Sequence, residues 1–183
     1  MNGTIVDGTT RVKTARFIKK SNLIMEFFMN SFQPLDKNYE KKVKESFSRQ
    51  PFMDFINAKL VEVKPGYCEI HLAYKKDLCQ QHGYFHAGII GTIADNCGGY
   101  AAFSLMPAKA SVLSVEYKIN LVAPGDGELL VGRANVIKPG RTLTICDTKV
   151  SVIKNGVEKL CATSLMTIMT MHGKADTPSL SQK

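Results

Sequence analysis

The apolar pattern changes period several times along the chain, and each change marks an element. Beyond Asp36, the residues Tyr39, Val43 and Phe47 recur every fourth position. That stripe predicts a helix capped by Asp36, running to about Arg49 and ended by Pro51. Two short runs, 58–64 and 68–74, flank Pro65-Gly66, and Cys68, Ile70, Leu72 and Tyr74 alternate with other residues in the second. They read as two strands. From about His86 to Phe103 the apolar residues Ile89, Ile90, Ile93, Ala94, Cys97, Tyr100, Ala101 and Phe103 cover nearly every face. A helix enclosed on most sides is expected there. Four longer strand-like runs follow Pro107, at 111–121, 127–137, 142–154 and 157–171. Their separators are turn formers: Pro124-Gly125-Asp126-Gly127, Lys138-Pro139-Gly140-Arg141 and Asn155-Gly156. The Asn-Gly pair predicts a tight hairpin, since both residues tolerate positive φ.

Two strands, one long buried helix and then an antiparallel meander predict an α+β chain. Its curved antiparallel sheet wraps the central helix, with an extra helix on the N-terminal side. Residues 36–171 form that single domain, 1–35 are a poorly defined extension, and 172–183 a flexible polar tail. The first 25 residues are basic and poor in acids, which leaves an organelle-targeting leader open. An upstream start codon ahead of Met25 or Met29 is the other reading.

Composition narrows the class. A length of 183 residues with 44% hydrophobic and 22% charged side chains suits one globular domain. No apolar run reaches the roughly 18 residues of a membrane span. Five scattered cysteines, an odd number, read as reduced packing thiols, which suits a cytoplasmic protein. The net charge of +8 is diffuse and favours polyanionic ligands, nucleotide-bearing substrates among them. No aromatic residues interleave with the basic ones, so a nucleic-acid partner is not expected.

The densest candidate chemistry lies in residues 80–100, QQHGYFHAGIIGTIADNCGGY. A lone carboxylate, Asp95, stands in an apolar helix. Such a group costs free energy unless it is hydrogen-bonded, neutralised or used.

At the start of that helix the chain resembles the hotdog-fold acyl-coenzyme A thioesterases of the phenylacetate-degradation type. Their pattern is an Asn or Gln, then Gly-x-x-His-Gly-Gly, then an acid eight residues after the first glycine of that pair. Gln80 or Gln81, Gly83, His86, Ala87, Gly88 and Asp95 stand in those places, with Gln80 the better fit by distance. Ser114 resembles a strand serine found near the site in some members. The likeness runs from about Phe52 to Met171. It implies the hotdog fold, hydrolysis of an acyl-CoA substrate, and a homodimer or dimer of dimers. Two positions depart from the pattern. Ala87 replaces a glycine, and Gly99 stands where some relatives carry a hydroxyl one turn after the acid. A water-orienting role then falls to Ser114, to Asn96 or to no side chain.

The residues support that chemistry directly. Thioester hydrolysis needs a donor for the developing oxyanion and a group that activates attack. A helix N-terminus has unpaired N–H groups and a positive dipole end, so the Ala87 and Gly88 amides suit the oxyanion. Gln80 donates its side-chain amide or holds the carbonyl, and His86 orients the helix start by a hydrogen bond. Asp95 is the base for water or a direct nucleophile. Yet Ala87 and Asp95 lie roughly 12 Å apart along one helix axis. One copy cannot bring both to one carbonyl. Two antiparallel copies about a two-fold axis can, which predicts a homodimer with two shared sites. Gly91, Gly98 and Gly99 are expected to allow close packing at that seam. Lys138 and Arg141, in a hairpin turn, are the candidates for CoA phosphates.

Two other readings compete, a hotdog hydratase or dehydratase and a non-catalytic acyl-CoA binder. Cys79, His82, His86 and Cys97 lack the paired spacing of a zinc site, and no cofactor or metal is expected.

Overall fold

The computed structural model describes residues 32–174 and 176. The readings of 1–31 as a leader or extension, and of most of the tail, fall outside these residues. Helix α1 is Tyr39–Ser48 and buries Val43 and Ser46. Asp36 does not cap it directly. Its Oδ1 accepts from Asn38 N at 2.9 Å, in the turn that leads into the helix. Pro51 opens a second helix, α2 (Pro51–Ile56), where it was expected only to end the first. Proline at the first helical position loses no hydrogen bond, because that N–H has no partner within the helix. Asn57 ends α2 with a left-handed φ of 61°, and Ala58 N reaches back to Met53 O.

The strands are β1 (Lys59–Lys64), β2 (Tyr67–Ala73), β3 (Ala110–Leu121), β4 (Leu129–Lys138), β5 (Leu143–Lys154) and β6 (Val157–His172). They form one antiparallel sheet in the order β1-β2-β4-β5-β6-β3. Asn155 and Gly156 both have positive φ, 50° and 75°, in the β5–β6 hairpin, as their pairing predicts. Helix α3 (Ala87–Phe103) packs on the sheet against β2, β3, β4, β5 and β6. This is the hotdog arrangement.

Gly132 of β4 sets how closely α3 approaches. A Cβ there would stand 2.5 Å from Ile93 Cγ2 and 2.7 Å from Cys97 Sγ. Gly98 does the same from the helix side, where a Cβ would meet Met166 Sδ of β6. Gly98 therefore packs helix to sheet within one chain, which corrects its assignment to a dimer seam. The enclosure of α3, expected on most sides, leaves one face open. Ile93, Ala94, Cys97 and Tyr100–Phe103 are buried, but Gly88 is exposed and Thr92, Asp95 and Asn96 are half-buried. Those four recur at three- and four-residue spacing, so they form one open stripe down the helix.

Lys42 anchors α1 against the far end of α3. Its Nζ donates to Met106 O at 2.7 Å and sits 4.6 Å from the Phe103 ring centroid. Burial pushes its amine below the ordinary range, against the pull of Asp36. At the α1–α2 junction, Gln50 reaches Asn96 of the open stripe. Among the described residues no helix is long and apolar enough to cross a membrane.

Candidate functional site

Two clefts flank α3, and each carries one half of the chemistry read from the sequence. The first, about 440 Å³, is lined by Asp95, Asn96 and Tyr100 of α3, Ser114 of β3, and Arg49 and Gln50 of the α1–α2 junction. The second, about 480 Å³, is lined by Gln80, Tyr84, Ala87 and Ile90 with residues 121–125. Asp95 is absent from the second, and Gln80 and Ala87 from the first.

In the first cleft, Ser114 Oγ donates to Asp95 Oδ1 at 2.6 Å. The register of β3 on β6 shifts between Ser114 and Glu116, so Val115 is an extra residue in the strand. A bulge of this kind re-aims the neighbouring side chain. Here it sits beside the serine that reaches the helix. Among the described residues, Asp95 accepts a side-chain hydrogen bond only at Oδ1. Gly99 contributes open space, since a Cβ built there meets nothing within 4 Å.

A polar network backs the cleft. Gln50 Nε2 donates to Asn96 Oδ1 at 2.9 Å and to Tyr100 Oη at 2.6 Å, and Asn96 Nδ2 donates to Thr92 O at 3.0 Å. Ser46 Oγ lies 3.2 Å from Tyr100 Oη. Burial pushes the Tyr100 phenol above its ordinary range, so it stays a neutral hydroxyl. With Asn96 committed to this network, Ser114 is the hydroxyl that meets the acid.

The second cleft is built on the N-terminus of α3. His86 caps it in extended conformation, φ −61° and ψ 141°, and its Nδ1 accepts from Gly88 N at 2.9 Å. This bond makes the His86 side chain the N-cap of α3. The Gly88 amide is thereby engaged by the imidazole. Ala87 N–H finds no acceptor among the described residues. The segment before it is firmly held. Gln80 Oε1 accepts from His82 N, His86 N bonds Leu78 O at 3.0 Å, and Phe85 N bonds Gly125 O at 2.9 Å. With Gln80 Oε1 so held, its Nε2 is left as the donor.

Lys138 and Arg141 stand exposed in the β4–β5 turn and line neither cleft. Arg141 O accepts from His172 Nε2, and His172 pairs with Ala110 at the start of β3, so the turn lies at that end of the sheet. No three His, Cys, Asp or Glu side chains gather as a metal set among the described residues.

Sequence reading missed Arg49, Gln50, Ser46 and Tyr100. Tyr100 carried a signal, because a phenol on an apolar helix needs a partner when buried. Arg49 and Gln50 carried none, since only the fold brings a helix junction beside Asp95.

Comparison with known proteins agrees with the fold. The family model of the thioesterase superfamily matches residues 82–159. A thioesterase family protein from Silicibacter pomeroyi is 44% identical, with a TM-score of 0.73 over 74% of this chain and 99% of that one. The E. coli PaaI protein from the phenylacetic acid degradation operon shares the fold, with 15% identity and a TM-score of 0.67 over 77% of this chain and 99% of that one. A candidate esterase of Saccharolobus solfataricus is 26% identical over 126 residues, 69% of this chain and 81% of that protein.

Proposed function

The chain belongs to the thioesterase superfamily and is a thioester hydrolase, and we propose that it cleaves acyl-coenzyme A at sites shared between the two protomers of a homodimer. One observation carries the proposal. The acid and the helix-terminal donor sit on one rigid helix but open into separate clefts. A two-fold axis perpendicular to the open stripe runs the two copies of α3 antiparallel and joins the first cleft of one protomer to the second cleft of its partner. It also covers Gly88, Thr92, Asp95 and Asn96. Tyr117 and Leu121 on edge strand β3 are 45% and 50% exposed, and the Tyr117 hydroxyl lies against Gly91 of α3. Such a surface on a long edge strand is a ready pairing face.

In that site the thioester oxygen accepts from Ala87 N–H, where the helix dipole favours negative charge. Gln80 Nε2 holds the carbonyl. Gly88 N–H joins the oxyanion donors when His86 gives it up. Asp95 of the other protomer, oriented by Ser114, activates water or attacks directly, and CoA thiolate leaves. Alanine at 87 does not impair this, because the donor is backbone. Lys138 and Arg141 are the proposed contacts for CoA phosphates.

The test is thiol release across acyl-CoA chain lengths, with Asp95→Asn as control. Hydrolysis of some acyl-CoA that Asp95→Asn abolishes, in a protein of unchanged oligomeric state, is the expected result. Near-normal turnover by the variant would remove Asp95 from the mechanism.

A further inference from the structure

Arg49 is the one cation among the described residues lining the Asp95 cleft, and the proposed mechanism does not use it. Its Nη2 donates to Asp176 Oδ2 at 2.6 Å and to Asp176 O at 2.8 Å. Asp176 lines the same cleft. A carboxylate from the C-terminal segment thus lies on a guanidinium in the same cleft as the acid expected to do the chemistry. The rest of the wall mixes polar groups, Ser46, Gln50, Asn96 and the Tyr100 hydroxyl, with the apolar side chains Val112 and Leu113.

We propose that Arg49 is a carboxylate receptor, that the preferred acyl group ends in a second carboxylate, and that Asp176 occupies the receptor until such a substrate displaces it. The inference rests on the acyl-CoA thioesterase reading and names its substrate class. A carboxylate brought near Asp95 without a counter-charge is costly. A planar guanidinium fork offsets that cost and matches carboxylate geometry. CoA phosphates are the other anions on the substrate, but they lie at the far end of the pantetheine arm, whereas Arg49 shares the cleft of Asp95. Displacement is feasible because the Arg49–Asp176 pair is partly exposed, with 38% and 26% of the two side chains accessible, and exposed ion pairs are weak. A tethered carboxylate competes at an effective concentration on the order of millimolar, which sets a threshold for substrate.

Glutaryl-CoA and pentanoyl-CoA have equal chain lengths and differ in the terminal carboxylate; adipyl-CoA and hexanoyl-CoA form a second pair. Thiol release by the full chain should give kcat/KM about tenfold higher for the carboxylated member of at least one pair. Arg49→Gln should bring that ratio to about one, while Arg49→Lys, which keeps charge without the fork, retains part of it. Asp176→Asn should lower KM for the carboxylated thioester several-fold. No preference in either pair, or both members falling together in Arg49→Gln, overturns the proposal. If no acyl-CoA turns over, the hydrolase reading fails separately. Equilibrium titration of Asp95→Asn protein with the same pairs then decides the receptor alone. Tighter glutaryl-CoA or adipyl-CoA binding that Arg49→Gln erases supports it, and equal affinity within both pairs overturns it.

Discussion

Ser114 Oγ stands 2.6 Å from Asp95 Oδ1, across the gap between the edge strand β3 and the central helix. The bond fixes one carboxylate oxygen. A hydrogen bond to a charged group is worth about 1.5–3 kcal/mol. Ser114→Ala should therefore lower kcat about ten- to a hundredfold with KM little changed, as read by steady-state thiol release. Ser114→Thr, which keeps the hydroxyl, should recover most of the loss.

His86 holds the helix start through Gly88 N. Loss of an N-cap typically costs about 1 kcal/mol. His86→Ala should lower the urea midpoint accordingly, with an unchanged m-value, and His86→Asn should restore it. A catalytic-base role for His86 predicts instead that Asn stays as inactive as Ala in thiol release.

Gly132 lies where β4 meets α3, and a methyl group there overlaps Ile93 and Cys97. Both neighbours are fully buried, so neither has room to yield. Gly132→Ala should destabilise the fold by about 1–3 kcal/mol, measured as a shifted denaturation midpoint.

Glu69, on the sheet, gathers Tyr67 Oη at 2.6 Å, His71 Nε2 at 2.6 Å and Arg133 Nε at 3.1 Å. Burial pushes its carboxyl up, but these bonds and the Arg133 charge together outweigh it and hold the carboxyl below the ordinary glutamate range. A depressed pKa contributes stability that is present above the unfolded value and is lost as pH falls through the folded one. Urea midpoints between about pH 6 and pH 3 should fall more steeply for the wild type than for Glu69→Gln.

Much of the architecture was legible because its signals are local. Alternation at Cys68, Ile70 and Leu72, the Asn155-Gly156 turn and the apolar run from His86 each specify an element within one stretch of chain. Asp95 stood out because one acid in such a run needs a reason, and the structure supplies the Ser114 hydroxyl. Non-local features were not legible. Pro51 reads equally as a helix stop and a helix start, and its neighbours decide. Gly98 faces Met166 only because β6 passes beneath α3. The engagement of Gly88 by His86 depends on an imidazole rotamer, and the open stripe on α3 depends on how far the sheet curls.

The shared site is tested most directly by subunit complementation. Ala87→Pro removes the amide proton while keeping the helix, because proline suits the first helical position and His86 is already in the extended conformation that precedes proline. Loss of an oxyanion donor costs about a hundred- to a thousandfold in kcat, and Asp95→Asn should be at least as damaging. Each variant alone should be nearly inactive. Random mixing of equal amounts through dissociation and reassociation makes half the dimers mixed, each with one intact site of two, so about a quarter of wild-type activity should return. A mixture no more active than its parents would place both groups' work within a single protomer and contradict the account.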